Sequence, residues 1–279
     1  MAVIISENMI EAQTLGGGVV VKRLITPGHV NSDRVCTDKL WLNAGAETDF
    51  SVGAGDLAWA HLLEGSVALI TDAGEQHLTS DHFIFLPPGL PAHLTSADGA
   101  VVFRAVVGDA ERFDPDWDVG ALDCRVTDWT NEPVLNSEFD ARKRIYMVTP
   151  KLAGTKAVKG EMIIYPPGTE AANHHHEGAE HFQVVLTGAA TFYLNDVPHR
   201  VAAGDTVYIY DNERHYFIND GDEELRFIEY FVPGIYKTVW AENAPICTWN
   251  PTGKDIKGGI PNREIGAHSS AEAHSLTDL

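Results

Sequence analysis

The feature that most constrains this 279-residue chain is an internal repeat. The stretch beginning GAETDFSVGAGDLAWAHLLEG runs in step with the stretch beginning GTEAANHHHEGAEHFQVVLTG. Gly45 and Gly65 stand 20 residues apart, as do Gly168 and Gly188, and Asp81 and Gly204 each lie 16 residues beyond the second glycine. All three pairs share one offset, 123 residues, so the chain carries two copies of one domain. Each copy is a series of short runs rich in Val, Ile, Phe and Tyr. Gly, Asp, Asn and Pro clusters separate them about every 8–12 residues, the pattern of an all-β sandwich or barrel. VVLTGAATFYLND, VYIYD and LRFIEYFV are the clearest runs in the second copy, and HLLEGSVALITD, HFIFLPPG and VVFRAVV answer them in the first. Helical periodicity is weak throughout.

The expected organisation is a first barrel over 1–113, a linker over 114–139, a second barrel over 140–250 and a tail over 251–279. The run ARKRIYMVTP opens the second barrel. The tail is rich in Gly, Ser and charge and is expected to be partly mobile, with His268 and His274 outside any site. A hydrophobic content of 44% suffices for two cores. Forty acidic against 20 basic residues give a net charge of −20, a field that repels phosphate backbones and anionic lipid. Nucleic acid and membrane surfaces are therefore set aside as partners. No run approaches the roughly 18 apolar residues of a spanning helix, and the N-terminus has no secretory pattern, so a cytoplasmic protein is expected. Cys36, Cys124 and Cys247 are scattered, which fits reduced thiols rather than a disulfide frame or a metal site.

Six of the thirteen histidines fall between His174 and His215. In a strand, residues two apart share a face, so His174 and His176 point one way and His175 the other. His181, opening the next strand, and His215, after a later turn, can converge on the same interior. Four neutral imidazoles around one point suit a divalent transition ion: iron foremost, with manganese, nickel, zinc and copper as alternatives. One ion per chain is expected.

These segments resemble the paired motifs of the cupin superfamily, G(x)5HxH(x)3–4E(x)6G and G(x)5PxG(x)2H(x)3N. The first is met at Gly168, His174, His176 and Gly188, the second at Gly204, His215 and Asn219. The resemblance spans about residues 40–105 and 162–232 and implies a bicupin, two jelly-roll barrels in tandem. Three departures matter. His181 stands where the motif has its glutamate, with Glu180 as the competing register. Tyr210 and Asn212 replace the Pro and Gly of the second motif. In the first copy the ligand positions map to Ser51, Gly53 and Ala58, so that barrel is read as a degenerate partner, with His61 and His93 structural or pocket-lining.

An all-imidazole set leaves the full charge on a divalent ion, which favours anionic chelating substrates. Four protein ligands leave two positions of an octahedron, which suits dioxygenase cleavage of an enolate, β-diketone or dihydroxy compound. The chain also resembles bicupin ureidoglycine aminohydrolases, which share an emptied first barrel with an LPPG turn and keep a redox-neutral hydrolase, isomerase or cyclase in play. A non-enzymatic storage or binding barrel is the third reading. Gln183, two residues from His181, is expected to face the interior. Tyr165 and Glu229 are further candidates for acid–base or substrate-contact roles, as are the phenols of Tyr208 and Tyr230. Partners are a small-molecule substrate and further copies of the chain, through the N-terminal segment.

Overall fold

The computed structural model describes residues 1–270 and 279; His274 lies outside the described residues. The chain divides into two units, Glu7–Trp129 and Met1–Ser6 with Thr130–Leu279. Both are built almost wholly of antiparallel strands, and no helix among the described residues is long and apolar enough to cross a membrane.

In the first unit, strand alternation fills the interior with small and branched apolar side chains. Val19 and Val21, Leu40 and Leu42, and Ala58, Ala60 and Leu62 are successive same-face residues of three strands, Val19–Ile25, Cys36–Leu42 and Leu57–Thr71. Each fully buried Val or Leu contributes about 1.5–3 kcal/mol by leaving water. In the second unit a nine-stranded sheet includes Val3–Ser6, Asp205–Ile209, Glu180–Thr187, Leu225–Val232, Lys159–Tyr165 and Lys143–Val148, in that spatial order. A five-stranded sheet runs Val197–Ala202, Ala189–Leu194, His215–Ile218, His174–Glu177 and Lys237–Trp240. Ile163, Val185, Val207 and Phe227 from the first sheet share a core with Ala190, Phe192 and Phe217 from the second, as in a jelly roll.

The 123-residue repeat reaches further back than the sequence motifs. Strands Cys36–Leu42 and Lys159–Tyr165, Gly74–Thr79 and Val197–Ala202, and His82–Leu86 and Asp205–Ile209 coincide at that offset end for end. So do two short helices, Pro27–Val30 and Pro150–Ala153. Thr26 and Thr149 cap their N-termini by accepting a backbone N–H, and Asn31 and Gly154 end them in the left-handed region. Gly65 and Gly188, at φ 74° and 75°, show why the motif glycines recur. A Cβ at Gly188 would lie 2.5 Å from the Glu224 carbonyl oxygen, and one at Gly65 would meet the Gly99 carbonyl. Register is kept inside the barrels too: Ala58 pairs with Leu86, and His181 with Ile209. The repeat slips by two residues only before the last long strand, since Ala58 also faces Val106 whereas His181 faces Phe231.

The N-terminal segment, the expected route to self-association, is used within the chain: Val3–Ser6 pairs with Asp205–Ile209. Within 114–139, Arg125–Asp128 pairs with His82–Leu86 in the first unit, and Leu135–Ser137 pairs with Lys143–Val148 in the second. Of the tail, His268–Ser269 pairs with Thr248–Pro251. His268 is buried, with its Nε2 2.8 Å from the Tyr146 hydroxyl, and Ile265 and Leu279 join a core with Tyr146 and Trp249.

Candidate metal centre

His174 and His176 sit on one face of the His174–Glu177 strand, and His174 pairs across to His215, the first residue of the neighbouring strand. His215 follows a turn in which Asn212 takes φ 65°, the conformation that the motif's glycine supplies and that asparagine tolerates. Gly89, 123 residues earlier, has φ 69°. His181, on the opposite sheet, brings the fourth ring. Ring centroids are separated by 4.3 Å for His174 and His215, 4.9 Å for His174 and His176, 4.8 Å for His176 and His181, and 4.7 Å for His181 and His215.

One potential ligand atom each from His174, His176 and His215 lies within 4.8 Å of the others. His181 falls outside that trio; its Nε2 is 3.6 Å from Glu229 Oε1. His174 Nδ1 is 2.7 Å from the Ala172 carbonyl and His215 Nδ1 2.9 Å from that of Glu213, contacts that leave each Nε2 as the lone-pair nitrogen. His176 Nδ1 is 3.2 Å from the Thr238 hydroxyl. Both nitrogens of His181 and Nε2 of His215 are buried without a hydrogen-bond partner. A neutral imidazole has one lone-pair nitrogen, and burying it without a partner is costly unless a cation takes the lone pair, so the residues present fit a divalent ion. Burial first, and then the neighbouring imidazoles, hold His174, His176 and His181 well below the ordinary histidine range. At His215 burial outweighs the backbone contact and the charge of Glu213 and brings it to about 4. All four are thus the neutral donors that metal ligation needs.

His175 faces away, its Nε2 3.7 Å from Glu177. Glu180, the competing ligand, accepts a hydrogen bond from the Tyr208 hydroxyl, on the face of its strand opposite His181. Tyr208 therefore stands with Glu180, and Tyr230 packs against Phe182 at 5.6 Å; neither lines the cavity.

That cavity, about 480 Å³, has His174, His176 and His215 in its wall together with Gln183, Glu229 and Tyr165. Gln183 Nε2 donates to Glu229 Oε1 at 2.8 Å, so that carboxyl points inward. Burial, then the proximity of Glu161, pushes the Glu229 carboxyl up to about 8 against the Gln183 hydrogen bond. The Tyr165 ring lies 4.6 Å from Phe217, and burial raises its phenol.

Sequence reasoning missed Arg142, Arg144 and Tyr236, which line the same cavity. Tyr236 stacks on Phe231 at 4.1 Å and accepts a hydrogen bond from Lys159 Nζ at 2.8 Å. Lys159, brought down to about 8 by burial, lies 3.8 Å from Glu161, which also faces Arg144 at 3.3 Å. The signal for the arginines was legible: R-x-R in ARKRIYMVTP puts both side chains on one face of a strand. Tyr236 follows the last long strand and carried no such signal.

In the first unit, strand register places Ala92 where the second has His215. His93 is exposed beside it, while Ala58 and Ala92 belong to the apolar core. His61 is buried on the strand face opposite Ala60 and Leu62, 6.2 Å from Trp129, with burial lowering it to about 4. Among the described residues, the first unit has no group of potential ligands like that of the second.

Residues 161–231 match the Cupin domain family. Protein SchB of Streptomyces halstedii is 33% identical over 87 residues, 31% of this chain and 63% of that protein. An oxalate-binding protein of Thermotoga maritima is 35% identical over 65 residues, 23% of this chain and 52% of that one. The chain thus spans less than two thirds of either relative's length. Among solved structures, a tryptophan-to-tyrosine variant of Bacillus subtilis oxalate decarboxylase superposes with a TM-score of 0.69 at 16% identity, covering 85% of this chain and 79% of that one. A further oxalate decarboxylase structure from that organism, concerned with its Mn(II) centres, gives 0.68. Residues 161–231 thus carry a Cupin domain, and the chain as a whole has the fold of two jelly-roll barrels in tandem.

Proposed function

We propose that this two-barrel protein is a metal-dependent enzyme acting on a small, chelating organic anion in its second barrel. The observation that carries the reading is the cluster of neutral imidazoles: His174, His176 and His215 in the wall of a 480 Å³ cavity and the buried His181 next to them, with Nε2 of His215 and both nitrogens of His181 unsatisfied. His174, His176 and His215 would hold the ion, with His181 as fourth donor. A divalent ion in an all-nitrogen site supplies Lewis acidity toward an enolisable or carboxylate oxygen. Gln183 fixes the inward carboxyl of Glu229 beside His181, where it can hold or accept a proton near bound substrate. Tyr165, Phe217 and Phe231 exclude water from the same space. The lack of an anionic ligand supports dioxygenase cleavage with iron.

The second reading is redox-neutral chemistry. The inward Glu229–Gln183 pair, an acid–base group such chemistry requires, favours it. So do the Mn(II) centres of the oxalate decarboxylase that shares the fold and the oxalate-binding relative. The test is metal analysis of the purified chain, followed by turnover of candidate enolic and dicarboxylic acids with iron or manganese, with and without O₂. Turnover that consumes O₂ selects the oxygenase; equal turnover under anaerobic conditions selects the redox-neutral enzyme. A chain that binds neither ion after supplementation overturns the metalloenzyme reading.

A further inference from the structure

We propose that Arg142 and Arg144 form an anion clamp that binds a second carboxylate of the substrate, away from the group that chelates the ion. The substrate class would then be a keto or enolic diacid. The proposal rests on the metal-centre reading above for the chelating end alone.

Four observations carry it. First, the two arginines line the same cavity as His174, His176 and His215, with side chains only 7% and 12% exposed. A buried guanidinium is costly to desolvate and is seldom kept for packing. Second, the fold does not require arginine there. At the repeat offset of 123 residues, Arg142 and Arg144 correspond to Val19 and Val21, which sit in the apolar core of the first barrel. Arg144 pairs with Ile163 as Val21 pairs with Leu40, so the correspondence holds in register as well as in number. The barrel that keeps its imidazoles has cations at two positions where the emptied barrel has valine.

Third, the guanidinium groups are held flat and steady. Arg144 lies 4.2 Å over the Trp249 ring, and Arg142 lies 5.3 Å from the Tyr165 ring. Arg142 is fixed by Asp140 at 2.7 Å, Ser137 at 3.2 Å and Tyr165 at 3.4 Å, and Arg144 by Tyr146 at 3.3 Å and Glu161 at 3.3 Å. Of its five N–H donors Arg142 directs a fourth to Cys247 Sγ at 4.0 Å and keeps one for a carboxylate, whereas Arg144, whose Nε is buried without a partner, keeps more, and a pre-positioned fork loses little entropy on binding one. Fourth, a cavity of 480 Å³ lies in the range that accepts drug-sized ligands, far more space than two directly joined carboxyl groups fill.

The experiment uses the full chain loaded with Mn²⁺ and calorimetric titration with matched probes. Oxaloacetate, 2-oxoglutarate and 2-oxoadipate each carry a chelating keto acid and a distal carboxylate. The corresponding 2-oxo monoacids keep the chelating end and end in methyl. At least one diacid should bind about tenfold or more tightly than its monoacid, the effect of a charge-assisted bidentate contact. Arg144→Met and Arg142→Met should each reduce that preference to about threefold or less, with monoacid affinity unchanged. Arg144→Lys keeps a cation beside Glu161 should the methionine variant fail to fold, and it too should lose most of the preference because the planar fork is gone. A wild-type chain with no diacid preference at any length, or variants that keep it, would overturn the clamp. If Mn²⁺ neither binds nor strengthens monoacid binding, the metal reading fails instead. The clamp is then judged on glutarate and adipate with metal-free protein: a roughly tenfold loss in Arg144→Lys sustains it, and no loss refutes it.

Discussion

At the residue scale, the site is governed by strand parity. His174 and His176 share a face and His175 does not, so His176→Ala should abolish most metal binding while His175→Ala retains it near the wild-type level, measured by elemental analysis of purified protein. The adjacent pair Glu180 and His181 gives a second contrast. His181→Glu should still hold the ion but lower its net charge by one, weakening affinity for an anionic chelate such as oxalate by about tenfold, read by titration calorimetry. Glu180→Gln should leave metal content unchanged and cost about 1 kcal/mol of stability, because its carboxylate accepts from Tyr208 on the strand face away from His181. Metal loss in Glu180→Gln combined with full affinity in His181→Glu would exchange the roles of the two residues.

At the element scale, the motif glycines do different work despite similar φ. Gly168, at φ 78°, has open space where a Cβ would go, whereas Gly188 faces the Glu224 backbone at 2.5 Å. Gly168→Ala should therefore cost about 1–2 kcal/mol, the price of a left-handed conformation alone. Gly188→Ala should cost clearly more, because a strand must also move. Chemical denaturation of the two variants checks the order. The Thr-capped helices at Pro27 and Pro150 make the same point from the other side. Their sequences, ITPGHVN and VTPKLAG, share Thr and Pro at the repeat offset, yet four-residue helices leave too little periodicity to announce themselves.

At the scale of the whole molecule, the two units have the same plan and different interiors. Val19, Val21, Ala58, Ala60 and Ala92 fill the first with apolar volume, while Arg142, Arg144, His181, Gln183 and His215 occupy the matching places in the second. A ligand that binds only the folded form stabilises by mass action, about 2.7 kcal/mol at one hundred times its dissociation constant. Loading with Mn²⁺ or Fe²⁺ should therefore raise the unfolding transition of the unit containing residues 130–279 and leave that of residues 7–129 in place. Hydrogen exchange resolved by peptide would assign the protection, and equal protection of both units would contradict a single site per chain.

The sequence alone determined the duplication, the all-β class and the convergence of the histidines, because glycine punctuation and period-two alternation are local properties that survive without a neighbour. It did not determine that Glu229 points inward, that Arg144 faces the histidine-lined cavity, or that Val3–Ser6 pairs with Asp205–Ile209. Those are long-range facts. Glu229 is placed by Gln183 and His181 from a strand some 46 residues earlier, and Tyr236 by Phe231 and Lys159. A charged residue in a strand can face water or a buried partner with equal local propriety; only the tertiary structure, by supplying the partner and excluding the water, decides which.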